Sequence, residues 1–169
     1  HHIWALPALL SWQITYTGSV PCDSFSVTFP YEPEIMELLH LAAGFTAYEN
    51  GQILLRGVVD EHEITLGSGG ITATVSGRGY AARLLDNESR PLTYQQATLA
   101  EIIRGHVTPY GITCGEMAAV TANSTYTVAS GSSQWKALED FCRTYGGFSP
   151  RFDREGQLLA VPEQESGVC

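Results

Sequence analysis

The stretch VSGRGYAARLLDNESRPLTY, Val75 to Tyr94, sets two glycines around an arginine at the end of an apolar run and then turns at once to AARLLD. Read one way it is a phosphate-cradling loop; read the other it joins a sheet to a second body of structure. A dinucleotide loop needs a third glycine opening a long helix, because that glycine permits close helix–strand packing and the helix N-terminus faces the pyrophosphate. Gly77 and Gly79 supply two, and Ala82 stands where the third belongs. No lysine followed by a hydroxyl residue comes after them, so contact to β/γ-phosphates and magnesium ligation lack their residues. The stretch therefore reads as a strand end and tight turn, with glycine relieving the backbone. It puts a boundary near Arg78 to Arg90, with ARLLD as a connecting helical turn.

Upstream, the period is that of strands. SWQITYT alternates Trp12, Ile14 and Tyr16 with polar residues, and DSFSVTF does the same with Phe25, Val27 and Phe29, separated by Gly18 to Pro21. YEPEIMELLHLAAG changes to a helical period, with Pro33 in its first turn, Ile35, Leu38, Leu39 and Ala42 on one face, and Gly44 as its stop. Strands then return around a hairpin at Asn50-Gly51 and a second turn at Gly67 to Gly70. Ile53, Leu55 and Val59, then Ile64 and Leu66, then Ile71, Ala73 and Val75 predict a meander or barrel wall.

Downstream, helices dominate. ATLAEIIRGHVTPYG offers Thr98 as cap, Glu101 three residues on, and a face of Leu99, Ile102, Ile103 and His106. SSQWKALEDFCRTYGG puts Trp135, Leu138, Phe141, Cys142 and Tyr145 inward and Lys136, Glu139, Asp140 and Arg143 outward, with Glu139 and Arg143 spaced to pair. Asp153 and Gly156 bound a turn between short strands carrying Phe152 and Leu158. The expected fold is α+β, a split or incomplete antiparallel β-barrel over residues 1–78 and a smaller mixed helix-and-strand domain with two main helices over residues 79–165.

The chain has 169 residues, 44% hydrophobic and 16% charged, and a net charge of −9 from 9 basic and 18 acidic side chains. That composition folds, and its charge opposes unspecific attraction to nucleic acid or anionic membrane. No specific nucleic acid and no stable membrane insertion are expected, there being no eighteen-residue apolar run and no basic-then-apolar leader. Cys22, Cys114, Cys142 and Cys169 form no C-x-x-C and read as reduced thiols; His1-His2 reads as tag or native terminus, a weak metal claim.

No constellation carries chemistry well. Along a regular strand, Asp60 and His62 of DEHE face one side and Glu61 and Glu63 the other, so the four cannot grip one ion; Asp60 remains free to pair across a subunit contact. Cys142 with His106 is the best thiol–base pair, but Cys142 sits on an apolar helical stripe and His106 reads as a half-buried residue with a helix-end hydrogen bond. Glu61, Asp86, Glu88 and Glu101 are arbitrary as a glycosidase pair. Trp12 and Trp135 read as core packing, and Arg78, Arg83 and Arg90 as solvated or helix-flanking charges. Tyr94 and Tyr110 are candidate contacts of a peptide or carbohydrate binding module. No catalytic residue, cofactor or metal is expected.

Taken in order, PCDSFSVTFPYEPEIMELL, ILLRGVVDEHEITLGSGGITATVSGRGYAARLLDNESRPLTYQQATLAEIIRGHVTPYG and GSSQWKALEDFCRTYGGFSPRFDREGQLL resemble tailed-phage baseplate hub or tail proteins of the late-control-D type, from about Val20 to Leu159. The resemblance implies a non-enzymatic part of the ring that joins tail tube to spike or tip. It implies assembly as a homo-oligomer, commonly a trimer, and residence in the virion tail, with the bacterial cytoplasm as the place of assembly. It matches Gly57, Val58, Val59 and Asp60 to a strand of a tail-tube-like barrel, Gly77, Arg78, Gly79, Leu85 and Asp86 to the barrel's exit, and Trp135 and Leu138 to the packed helix that follows. Such hub proteins are generally longer, so a fragment with a missing closing portion of barrel is expected. Tail tips also carry lytic domains, which makes a peptidoglycan hydrolase the alternative of a different class.

Overall fold

A computed structural model describes residues 3–6, 8–17 and 22–163; His1-His2, Gly18 to Pro21 and Cys169 lie outside the described residues. The chain divides into two compact units, His1–Gly79 and Tyr80–Cys169.

The first unit is an antiparallel sheet with one helix. Its strands are β1 (Ser11–Thr15), β2 (Ser24–Pro30), β3 (Gly44–Glu49), β4 (Gln52–Gly67) and β5 (Gly70–Gly79), hydrogen-bonded in the order β1-β2-β5-β4-β3, with helix α1 (Pro33–Leu39) between β2 and β3 in sequence. Asn50 and Gly51 both have positive φ, 50° and 80°, which the tight β3–β4 hairpin requires. Phe25, Val27 and Phe29 of β2 meet Leu55, Ala73, Val75 and Met36 of α1 in one buried cluster, and the Phe25 and Phe45 rings stack at 3.9 Å. Each large side chain so buried contributes about 1.5–3 kcal/mol.

The sheet is curled into a half-barrel. In a flat sheet, β1 and β4, with β2 and β5 between them, would stand about 14 Å apart. Tyr16, just past β1, nevertheless donates its hydroxyl to the Leu54 carbonyl of β4 at 2.7 Å. Leu54 is the residue skipped by the β3–β4 ladder between Leu55 and Ile53, so the bulge frees the carbonyl that Tyr16 takes. Trp12 departs from the core role expected of it. It is 56% exposed, because β1 is an edge strand and the packed position falls to Ile14, opposite Phe25.

The second unit repeats one small pattern. Helix α2 (Ala82–Leu85) is a single turn; β6 (Leu92–Tyr94), α3 (Leu99–His106) and β7 (Cys114–Met117) are followed by β8 (Tyr126–Val128), α4 (Gln134–Phe141) and β9 (Arg151–Phe152), then β10 (Leu158–Ala160). β6 pairs with β8 antiparallel, and β10 runs between β7 and β9, parallel to the first and antiparallel to the second. A hydroxyl caps each long helix, Thr98 for α3 and Ser133 for α4, and each cap residue also forms an isolated bridge, Thr98 to Thr121 and Ser133 to Glu88. α3 has the full capping box: the Glu101 carboxylate accepts the Thr98 N–H at 2.8 Å and Thr98 Oγ1 accepts the Glu101 N–H at 3.3 Å. Thr98→Ala is therefore expected to cost about 1 kcal/mol, read as a lowered denaturant midpoint at unchanged slope.

α4 runs straight into a π-helical turn, Cys142–Gly146, which ends on Gly147 at φ 73°. Trp135, Leu138, Phe141 and Cys142 are buried with Leu99, Ile102 and Leu158. Lys136 pairs with Asp140 and Arg143 with Glu139, each at 2.8 Å, on the outer side. At the Asp153 turn, Gly156 has φ 77° and its N–H reaches the Asp153 carbonyl; a side chain there would also strike the Tyr80 ring.

Candidate functional site

The glycines of the deciding stretch do not form a turn. β5 continues through Gly79, and Gly57, Val58 and Val59 lie directly opposite Gly79, Arg78 and Gly77. Two separate pieces of the sequence thus become neighbouring rungs of one ladder. Neither Gly77 nor Gly79 has positive φ; at Gly77 what excludes a side chain is space. A Cβ on Gly77 would fall on the Val58 carbonyl oxygen and within 2.9 Å of the Phe25 ring, and one on Gly57 would strike the Arg78 carbonyl. The connecting helical turn begins after the sheet, at Ala82.

One rung further, the β4–β5 ladder skips Asp60, passing from Val59–Gly77 to Glu61–Ser76. This bulge takes Asp60 out of the alternation expected of Asp60 to Glu63, while His62 keeps the face opposite to that of Glu61 and Glu63. Past the bulge, His62 stands opposite buried Val75, while Glu61 and Glu63 stand opposite Ser76 and Thr74. Asp60 pairs within the chain, accepting from Arg78 Nε at 2.7 Å and Nη2 at 3.0 Å, so Arg78 is ion-paired instead of merely solvated. With both partners about a third exposed, the pair contributes about 0–1 kcal/mol. Asp60, Glu61, His62, Glu63, Thr74 and Ser76 line a surface depression of acidic character.

In the second unit the polar chemistry is buried. His106 is 1% exposed, not half-buried as expected: its Nε2 lies 3.0 Å from Tyr94 Oη and its Nδ1 2.7 Å from Gln134 Oε1. Gln134 donates from Nε2 to the Tyr110 hydroxyl at 2.8 Å and to the Glu88 carbonyl at 3.0 Å. Gln134 carries the network and had no distinguishing sequence signal beyond being a polar first residue of a helix. Tyr94 and Tyr110 therefore turn their hydroxyls into this network instead of forming a concave aromatic patch. Burial holds the His106 imidazole below its ordinary value of 6.5, partly opposed by the Gln134 hydrogen bond.

Because the unfolded chain takes up that proton more readily, stability is expected to fall as pH drops below about 6.5 and to level off once folded His106 is also protonated. The Thr98 hydrogen bonds lower the Glu101 pKa, keeping that carboxyl out of the window. Urea midpoints at about pH 7.5 and 5 should differ in the wild type and differ less in His106→Gln; an equal fall in both would assign the effect elsewhere.

Cys142 is fully buried and burial pushes its thiol up to about 12, so at neutral pH it is protonated. His106 is committed to Tyr94 and Gln134, leaving no assembled thiolate–imidazole pair. Cys114 and Cys142 are free thiols. Asp86 caps α2, its N–H on the Ala82 carbonyl at 2.9 Å; Arg83 lies over the Tyr80 ring at 4.3 Å and donates to the Tyr110 carbonyl. Trp135 is 5% exposed, its ring 6.0 Å from Phe152, and Leu138 is fully buried. Among the described residues no group of three or more His, Cys, Asp or Glu is placed to hold a metal, and no helix is long and apolar enough to cross a membrane.

No protein-family model matches the chain, and no curated protein does. Solved structures do. The tail protein of Neisseria meningitidis MC58 is 19% identical with a TM-score of 0.71, over 88% of this chain and 44% of that one. The fold is shared with phage tail proteins. The 43 kDa tail protein of prophage MuSo2 from Shewanella oneidensis is 19% identical with a TM-score of 0.68, over 93% of this chain and 51% of that one. The E. coli c3393 protein, described as a type VI secretion component structurally similar to the phage T4 tail proteins gp27 and gp5, is 12% identical with a TM-score of 0.52, over 88% and 47%. The chain spans about half the length of these tail-fold structures.

Proposed function

We propose that this chain is a non-enzymatic structural component of a phage or prophage tail, part of the baseplate hub that joins the tail tube to the spike or tip. The observation that carries the reading is the likeness to two tail proteins along 88% and 93% of the chain, spanning both units. In this reading it meets tube and spike or tip proteins, assembles as a homo-oligomer, a trimer by the resemblance, and resides in the virion tail after assembly in the bacterial cytoplasm. The architectural residues divide by unit. Gly57, Gly77 and Gly79 hold β4 against β5, Asp60 and Arg78 brace the bulge beside them, Asp86 ends the turn that follows, and Trp135 and Leu138 anchor α4. The protonated, enclosed Cys142 disfavours the hydrolase alternative, since nucleophilic attack needs the thiolate.

Deleting the gene from the producing phage or lysogen tests this. Particles lacking complete tails, rescued by the wild-type gene, are the expected result; normal infectious tails without the chain contradict it. Incubating the purified chain with peptidoglycan separates the alternative, because sustained cleavage abolished by Cys142→Ala or by a single carboxylate change would establish hydrolysis.

A further inference from the structure

We propose that residues 90–96 form an acid-released strap over His106: when the imidazole takes up a second proton, β6 lifts from β8 while α3 and α4 stay packed. The strap lies on the surface of the second unit, and of residues 90–96 only Tyr94 is part-buried. It is pinned at both ends, where the Ser89 N–H donates to the Ser132 carbonyl at 2.7 Å and the Ala97 carbonyl accepts the Ala122 N–H at 2.8 Å. Between the pins it is held by the short β6–β8 ladder, by side-chain hydrogen bonds of Thr93 and Gln95, and by Tyr94. Gln96 has φ 51°, a left-handed backbone uncommon outside glycine, so a bend is already set beside one pin.

The hydrogen bonds fix where the second proton goes. Gln134 Nε2 donates to the Glu88 carbonyl, which can only accept, so Gln134 Oε1 faces His106 and Nδ1 carries the proton of the neutral ring. Nε2 is then the acceptor that takes the Tyr94 hydroxyl, and the second proton can be added only there. Adding it makes Nε2 a donor and turns the Tyr94 proton away from the one hydrogen-bond partner it has among the described residues. The Nδ1 side of the ring is closed by backbone bonds from Ser89 to Ser132 and from Gln134 to Asn87, so the Nε2 side yields first.

The charge so created meets no carboxylate. Tyr94, Tyr110, Gln134 and Ser89 around the ring are uncharged at neutral pH, and Tyr126 of β8 gives its hydroxyl to the Ala137 carbonyl. Glu101 of α3 is taken up by its Thr98 cap and Glu88 accepts the Gly131 N–H; on α4 Lys136 pairs with Asp140 and Glu139 with Arg143, and Arg90 and Arg104 are exposed cations. The imidazolium would keep only Gln134 Oε1 and a reversed Tyr94 hydroxyl, out of reach of water. Lifting the strap hydrates Nε2, so the proton favours the open form. The strap is closed above about pH 6.5, opens increasingly below it, and levels off once the closed form is protonated too. None of this depends on where the chain resides, so it stands apart from the tail reading.

Amide hydrogen exchange of the full chain, read by mass spectrometry on peptides covering the strap and α4, is measured at about pH 7.5 and 5 and corrected for the intrinsic pH dependence of exchange. The strap is expected to be less protected than α4 at both pH values, and its protection to fall at least about threefold on acidification. His106→Gln is expected to remove that fall. Tyr94→Phe keeps the ring but not the hydroxyl, and is expected to lower strap protection at least about threefold already at pH 7.5. Circular dichroism checks that both variants fold; should His106→Gln not fold, Tyr94→Phe and the wild-type comparison carry the test. Strap and α4 equally protected would mean that the strap opens only with the whole unit, and overturns the proposal. So does a strap unmoved by acid, a fall that persists in His106→Gln, or a Tyr94→Phe strap as protected as wild type.

Discussion

Gly77→Ala is expected to destabilise the first unit by more than about 3 kcal/mol, at or above the usual cost of overpacking, while Gly79→Ala stays within about 1 kcal/mol of wild type. The two glycines are two residues apart on one strand and both extended, so backbone freedom does not separate them. Their surroundings do. A methyl at Gly77 overlaps the Val58 carbonyl and the Phe25 ring, whereas at Gly79 its nearest neighbours are atoms of Asp23 at 3.8 Å, an ordinary contact. The Val58 carbonyl belongs to a strand held on both sides by ladders, and Phe25 is stacked on Phe45, so neither yields cheaply. Chemical denaturation followed by circular dichroism compares the variants; equal, small losses would mean that the ladder opens readily at this rung.

The second large effect is in the helical unit. Trp135→Ala should lose about 3–5 kcal/mol, the cost of removing a large aromatic from a core, and Lys136→Ala should stay within about 0.5 kcal/mol. The adjacent side chains differ in setting, since Trp135 packs beside Phe152 within the buried cluster while the Lys136–Asp140 pair is exposed. Circular dichroism keeps a signal after the indole is gone. A Trp135→Ala chain that is as stable as wild type but fails to join its partners would relocate the residue to an assembly surface.

Elements with a strong local period were legible in the sequence: the alternation of Phe25, Val27 and Phe29, the Thr98 capping box, the Asn50-Gly51 hairpin and the Trp135 face of α4 all follow from neighbours in the chain. What escaped depends on distant partners. The bulge at Asp60 shifts every later residue of β4 to the opposite face, setting Ile64 and Leu66 beside Ala73 and Ile71, and no local signal marks it; nor does their period show that Ile64 stays 50% and Leu66 80% exposed there. Trp12 misled in the same way, since a period of two says which face a residue takes but not whether another layer lies over it. Gly77 and Gly79 suggested a turn because glycine is permissive of conformation; their actual setting, opposite Val59 and Gly57, is visible only once β4 is placed beside β5. The candidate site was half legible: its glycines, Asp60 and Arg78 were named, but the Asp60–Arg78 pair and the Gln134-centred network join residues far apart in sequence.

The most direct test of the central claim is cryo-electron microscopy of tails purified from the producing phage. The account predicts density for the five-stranded half-barrel and for the helical unit at the junction of tube and spike, repeated by the symmetry of the hub. Complete tails resolved at that junction with every density assigned to other chains would contradict it.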